Sequence, residues 1–373
     1  MKKMISAVAL SATVALALAA CGSAPDDEAT SGSSSAPSAS GSAAAAASDF
    51  KACIVSDAGG FDDKSFNQLS FEGTQKAATE LGAQFAKVES DSSSDFPQNL
   101  QSLVSENCKL IVSVGFALSA DTVKSANENP DLEYVLIDDA ADADFDGKTD
   151  APNIKPLLYD TSQAAFLAGY LAAGYSKAGK VGTFGGQPYP TVTIFMDGFK
   201  QGVEYYNKTK NKSVKVVGWT GEEKGSSFTG GFDANDKAKQ TATQVLDQGV
   251  DVILPVGGPI YQSAMDAIKD SGRDVALIGT DADLFQTDPS SQSLVLTSIL
   301  KKMDVSSYDA VMAAGKGNFD PTAYVGTLEN GGVGIAPLHN FESKVDPALV
   351  KEVTDLQQQI IDGKVKVTSY LAK

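Results

Sequence analysis

Residues 109–126 read KLIVSVGFALSADTVKSA. The apolar, branched run from Leu110 to Val114 predicts a strand buried on both faces, because no polar residue alternates through it. Val114-Gly115 ends the run, a short loop follows, and the remainder has the spacing of a helix. Residues 251–268, DVILPVGGPIYQSAMDAI, repeat this plan, with Val256-Gly257 at the same place. The strands that come next, EYVLIDD (133–139) and DVALIGTD (274–281), keep the offset, and both end on Asp. Duplication of a lobe explains the match; so does the general likeness of β-α-β units. Either way the chain predicts two doubly wound α/β lobes.

The rest of the chain extends the alternation. Strands are expected at 51–56 and 83–88, and helices at 66–81, 96–106 and 119–128. KVGTFGG (180–186) and VKVVGW (214–219) read as strands of the second half; FMDGFKQGVEYYN (195–207) and ANDKAKQTATQVLDQG (234–249) read as its helices. In open parallel sheets, ligands bind beyond the carboxyl ends of the strands. The unusual loops all fall there: Asp57–Asn67, Gly115-Phe116, Asp138-Asp139, Gly185–Pro190, Gly257-Gly258 and Asp281–Asp283. Two lobes facing one another at those ends would enclose a cleft.

The ends of the chain carry other information. Lys2 and Lys3 precede an apolar run too short for a stable membrane span, so residues 1–20 read as a secretory signal. The exit Leu18-Ala19-Ala20-Cys21 has the form of a bacterial lipobox, with Cys21 as the lipidated first residue. The expected localisation is therefore the cell membrane, on its extracytoplasmic face. Residues 21–49 are Ser, Ala, Gly, Pro and a few acids, a tether with almost nothing to bury. About 320 residues remain, enough for two lobes.

The formal charge is −17, and loss of the signal removes two Lys and no acid. That surface disfavours nucleic acid and polyphosphates as partners. His339 is the single histidine, which argues against a His-rich metal site or histidine catalysis; a structural role is expected for it. Neither a metal nor a cofactor is expected. With Cys21 assigned to the lipid, Cys53 and Cys108 remain. In an exported protein such a pair reads as a disulfide. The two would lie toward the amino ends of the first and third strands, adjacent in a sheet of order 2-1-3 and away from the cleft.

Gly59-Gly60 in the first loop is not a phosphate loop. The Gly-x-x-x-x-Gly-Lys-Ser/Thr pattern is absent, and Asp57, Asp62 and Asp63 would repel phosphate. No Gly-x-Ser-x-Gly elbow occurs. Paired carboxylates are abundant, but abundance is no signal of glycoside chemistry. The residues favour a binding protein over an enzyme. A neutral ring-shaped ligand wants aromatic faces and a few buried polar groups. The first loop supplies Asp57, Phe61, Phe66, Asn67 and Phe71, with the free N–H groups of a helix that starts at Ser65-Phe66. The second lobe supplies Phe228, Phe232 and the Gly257 loop. Asp281 is suited to vicinal hydroxyls, since charge-assisted hydrogen bonds are strong, and Lys301 adds a second polar hold.

DAGGFDDKSFNQLSFEG (57–73) resembles the loop-and-helix signature of the basic membrane lipoprotein family, nucleoside-binding proteins of ABC transporters. The likeness continues through VSVGF, YVLIDD, QAAFLAGYLAAGYSKAGKVGTFGG, FMDGFKQGV, QVLDQGVDVI, IGTDAD and VLTSILKKMD, from Lys51 to about Val345. The resemblance implies a type I periplasmic-binding fold with a multi-crossover hinge, and capture of purine nucleosides for an importer with its permease and ATPase subunits. It places base contacts on Asn67 and Asp138, with Asp139 an alternative. It places stacking aromatics on Phe232 and on Phe66 or Phe71, and ribose contacts on Asp281 and Lys301. The expected lobes are 50–157 with 284–322, and 158–283 with 323–373, in a monomer. A binder of sugars or other ring-shaped solutes, and a surface sensor or adhesin without a transporter, are the other readings.

Overall fold

The computed structural model describes residues 49–371 except Phe145. The signal segment, Cys21 and the tether as far as Ser48 lie outside the described residues. The first half holds β1 (Lys51–Val55), α1 (Phe66–Glu80), β2 (Gln84–Val88), α2 (Phe96–Ser105), β3 (Leu110–Val114), α3 (Ser119–Glu128), β4 (Glu133–Ile137) and β5 (Ile154–Tyr159). The chain then crosses through α4 (Thr161–Tyr175) into β6 (Lys180–Gly185), α5 (Pro190–Lys210), β7 (Lys215–Val217), α6 (Asp236–Leu246), β8 (Val252–Val256), α7 (Ile260–Ser271), β9 (Ala276–Asp281), the short α8 (Leu284–Thr287) and β10 (Val295–Lys301). Finally come α9 (Met303–Gly315), β11 (Tyr324–Gly326), β12 (Val333–Ile335) and α10 (Pro347–Ile361).

Two six-stranded sheets result. Their orders are β11-β5-β4-β3-β1-β2 and β12-β10-β9-β8-β6-β7. The sheets correspond strand for strand, as the paired stretches at 109–126 and 251–268 imply. All pairings in the first sheet are parallel. The second differs at one edge, where β12 runs antiparallel to β10. Strands β3 and β8 are buried at every position, which is why their sequences are apolar throughout except for Ser113 in β3.

The expected lobe boundaries need correction at three places. Residues 284–322 were expected in the first lobe, yet β10 pairs with β9 in the second sheet, Leu300 opposite Asp281. Residues 323–373 were expected in the second lobe, yet β11 pairs with β5 in the first. The break at 157 falls inside β5. A short apolar strand fits either sheet, so its neighbour in the ladder decides, not its composition.

The crossings follow one rule. The helix after the fifth strand of each lobe packs on the first helix of the other lobe: α4 on α5, and α9 on α1. Both contacts bring backbones together. A Cβ on Gly73 of α1 would fall on the Asp304 carbonyl, and one on Gly202 of α5 would fall on the Phe166 carbonyl. Only glycine permits that approach. Helix α4 is buried on nearly all sides, which explains why TSQAAFLAGYLAAGY shows no polar face.

Cys53 and Cys108 are joined by a disulfide, Cα atoms 5.9 Å apart. Cys53 lies in the middle of β1, not at its amino end; Cys108 precedes β3. Both pack with Phe96, Leu100 and Leu103 of α2. His339 Nε2 lies at hydrogen-bond distance, 2.9 Å, from Asp283 Oδ2, and its ring stacks on Phe285 at 4.0 Å.

Candidate functional site

The carboxyl ends of the two sheets face one another across a cleft with about 610 Å³ of empty space, part of it open to solvent. Asp57, Phe66, Asn67, Asp138, Phe232, Gly257, Asp281 and Lys301, all singled out in the sequence, line it.

The first wall is built by the loop after β1. Asn67 is 2% exposed. Its Nδ2 donates to Asp57 Oδ1 at 2.7 Å and lies 3.2 Å from Asp63 Oδ2. Two carboxylates, which only accept, thereby fix the amide with its oxygen turned from them. Asp63 also accepts from the backbone N–H of Ser65, Asn67 and Gln68 at 2.9–3.1 Å. The first N–H groups of α1 were expected as ligand donors; Asp63 has already taken those of Asn67 and Gln68.

The floor repeats the duplication. Asp138 ends β4 and Asp281 ends β9, both with left-handed backbone, φ 70° and 66°. Such a conformation is uncommon outside glycine, and Asp is one of the residues that tolerate it best. Each turns its carboxyl toward Lys301 at the end of β10. Lys301 Nζ is 2.5 Å from Asp138 Oδ2 and 3.9 Å from Asp281 Oδ1. Asp281 Oδ2 accepts from Ser65 Oγ at 3.2 Å, a hydrogen bond between lobes. Lys301 is 2% exposed, and Phe66 and Phe195 place their ring centroids 5.4 and 5.0 Å from its ammonium.

Four carboxyls therefore share the cleft with one cation among its described lining residues. Burial pushes Asp57 up to about 7; the Asn67 hydrogen bond opposes this, and the charges of Asp63, Asp138 and Asp281 add to it. Burial likewise pushes Asp281 up to about 6 against the pull of Lys301. Asp138 is raised by burial despite its contact with Lys301, and Asp63 by burial despite its four hydrogen bonds. Desolvation outweighs the ion pair here, as it often does for buried charges.

The structure separates the alternatives left open in the sequence. Phe66 faces the cleft. Phe71 does not: its ring packs on Phe61 at 5.0 Å and on Phe85 at 5.8 Å, in the first-lobe core. Asp138 faces the cleft, whereas Asp139 turns to Ser119 and the Ala141 N–H. Phe228 packs edge-on against Trp219 and does not line the cleft. Three aromatics were missed. Phe116 from the first lobe and Tyr189 from the second meet across the cleft with centroids 5.0 Å apart, and Tyr189 also packs on Phe232 at 5.9 Å. Their loops were flagged as strand ends without these rings being chosen. Phe195 lies inside α5, where nothing in the sequence separates it from core.

A family model described as ABC transporter substrate-binding protein PnrA-like matches residues 50–370, and the chain belongs to that family. The family is one of non-enzymatic solute binders, which implies a small-molecule ligand and transporter subunits as partners. The ABC transporter nucleoside-binding protein BmpA of Lactococcus lactis subsp. cremoris is 29% identical, over 99% of this chain and 100% of its own. An uncharacterized lipoprotein of Pyrococcus horikoshii is 30% identical, over 85% of this chain and 76% of its own. Among solved structures, an ABC transporter system solute-binding protein from Aeropyrum pernix K1 matches with TM-score 0.75 and 27% identity, covering 86% of this chain and 94% of that one. The type I periplasmic-binding fold and the two parallel-sheet lobes agree with this likeness.

Proposed function

We propose that this protein captures purine nucleosides in the cleft, as a lipid-anchored monomer, and hands them to an ABC importer. The observation that carries the reading is one cleft with two chemistries. Flat aromatic faces come from both lobes, Phe66 and Phe116 from the first, Tyr189 and Phe232 from the second. A buried amide and carboxylates sit among them. A base needs the faces and the Asn67 amide; vicinal ribose hydroxyls need an acceptor such as Asp281 beside a cation such as Lys301. The name of the Lactococcus relative supports the ligand class. A ligand that touches both lobes favours the closed form through differential affinity.

Calorimetric titration of the mature domain with ribonucleosides, deoxynucleosides, free bases and sugars tests this. Purine ribonucleosides are expected to bind most tightly. A buried polar group left unpaired costs roughly 1–3 kcal/mol, so Asp281→Ala is expected to weaken ribonucleosides by about 5- to 150-fold and free bases far less. Phe232→Ala is expected to weaken both. Tight binding of a monosaccharide without nucleoside binding would move the protein to the sugar class.

The anchor rests on Leu18-Ala19-Ala20-Cys21 and on the lipoprotein name of the Pyrococcus relative. No helix among the described residues is long and apolar enough to cross a membrane. Cys21→Ser is expected to shed the protein into the medium or leave it unprocessed. A variant still lipidated and retained at the surface would defeat the assignment.

A further inference from the structure

The polar groups around Asn67 leave an uneven set of free atoms. Both carboxylates beside Asn67 are used to orient its nitrogen, and its Oδ1 is buried with no partner. All four hydrogen bonds to Asp63 are made within its own loop and helix end. Asp57 is different. Its Oδ1 takes the Asn67 hydrogen bond, while Oδ2 accepts none and stands against Gly115, where a Cβ would crowd it. Gly115 has φ 108°, so the bare backbone at this point is imposed by conformation as well as by space. The atoms free to meet a base edge on this wall are thus Asn67 Oδ1, always an acceptor, and Asp57 Oδ2. The oxygen of Asp57 accepts when the group is ionised and donates when it carries a proton.

We propose that Asp57 sets which purine edge the cleft accepts. Ionised, it makes with Asn67 a wall of two acceptors, matching an edge with two donors, such as N1–H and the 2-amino group of guanosine. Protonated, it makes one acceptor and one donor, matching the 6-amino group and bare N1 of adenosine. The inference rests on the nucleoside reading of the site and adds to it a basis for choosing among bases.

The surroundings suit such a residue. The groups facing Asp57 are Asp63 from its own loop, Asp138 at the end of β4 and Asp281 at the end of β9. Lys301 is engaged with the latter two. Asp57 therefore meets three carboxyls and no cation of its own, and burial with those neighbours brings its titration to about 7. Both forms are then populated near neutrality. Neither guanosine nor adenosine titrates in that range, so a pH-dependent preference between them reports on the protein.

The test is titration of the mature domain with guanosine and with adenosine near pH 6 and near pH 8. Their common ribose cancels in the ratio of affinities. Between those pH values the guanosine affinity is expected to rise, and that of adenosine to fall, each by up to about tenfold for a single titrating group near pH 7. Asp57→Asn, a neutral amide at both pH values, is expected to abolish the change in ratio. A ratio unchanged with pH in the wild type, or a change that survives in Asp57→Asn, would overturn the proposal while leaving nucleoside binding intact. Absence of binding by both nucleosides at both pH values would remove the nucleoside reading, and this proposal with it.

Discussion

Lys301→Met is expected to destabilise the ligand-free protein by about 3–5 kcal/mol above neutral pH, the usual consequence of breaking a buried ion pair from one side. Methionine keeps most of the volume, so the change isolates the charge. Without the ammonium, Asp138 and Asp281 face each other's charges at 6% exposure, with no replacement cation among the described lining residues of the cleft. The sign of the pH dependence follows from their titration. Burial holds both carboxyls above their ordinary values, with Lys301 pulling each down. Removing Lys301 raises both further. At acid pH they take up protons, and the variant loses only the pair. As pH rises through their elevated values, the folded variant must either hold uncompensated charge or keep protons that the unfolded chain releases. The gap between wild type and variant is therefore expected to widen from pH 5 to pH 8. Denaturant unfolding at both pH values measures it. A gap that is constant, or larger at pH 5, would show that Lys301 does not hold these carboxyls in the folded state.

The same cluster shows what a sequence discloses. Asp138 and Asp281 were readable because each ends a predicted strand at a matching place in a repeated pattern, and strand ends are where such folds bind. Lys301 was readable from its position after VLTSIL. What stayed hidden was the ion pair between them, since the sequence reading puts β10 in the first lobe and not beside β9. Its pairing with β9 is decided by packing between whole sheets. Phe66 and Phe71 posed a similar problem. They are five residues apart, and both lie near the start of α1. One faces the cleft and the other faces β2, because the helix rotates between them. The glycines at 73 and 198 hold a signal that went unused. Both follow an acidic residue in the first helix of their lobe, and both mark where the swapped helix lies against it. In the sequence Asp63 reads as a charge that repels phosphate, yet an Asp just before a helix is also a cap. Capping consumes the donors that a ligand would otherwise meet.

Replacing both Cys53 and Cys108 by alanine is expected to lower stability by about 4 kcal/mol, the chain-entropy value for a closed loop of this size. The bridged residues are 55 apart in sequence, and the loop between them contains α1, β2 and α2. Those elements carry Asn67 and Phe66, which raises the question of binding as well. The geometry argues against an effect there. Strand β1 is paired along its length with β2 on one side and β3 on the other, Lys51 to Val55 opposite Gln84 to Val88. The bridge sits mid-strand and before β3, against α2, whereas Asp57 and Gly115 lie beyond the carboxyl ends. The ladders hold those ends in register without help from the sulfurs. The double variant is therefore expected to unfold at lower denaturant and to keep its ligand affinity within about threefold, well under 1.4 kcal/mol. An unchanged midpoint would mean that the closed loop does not restrict the unfolded chain. A tenfold loss of affinity at an unchanged midpoint would mean that the bridge positions the first wall of the cleft, and that its role is in binding.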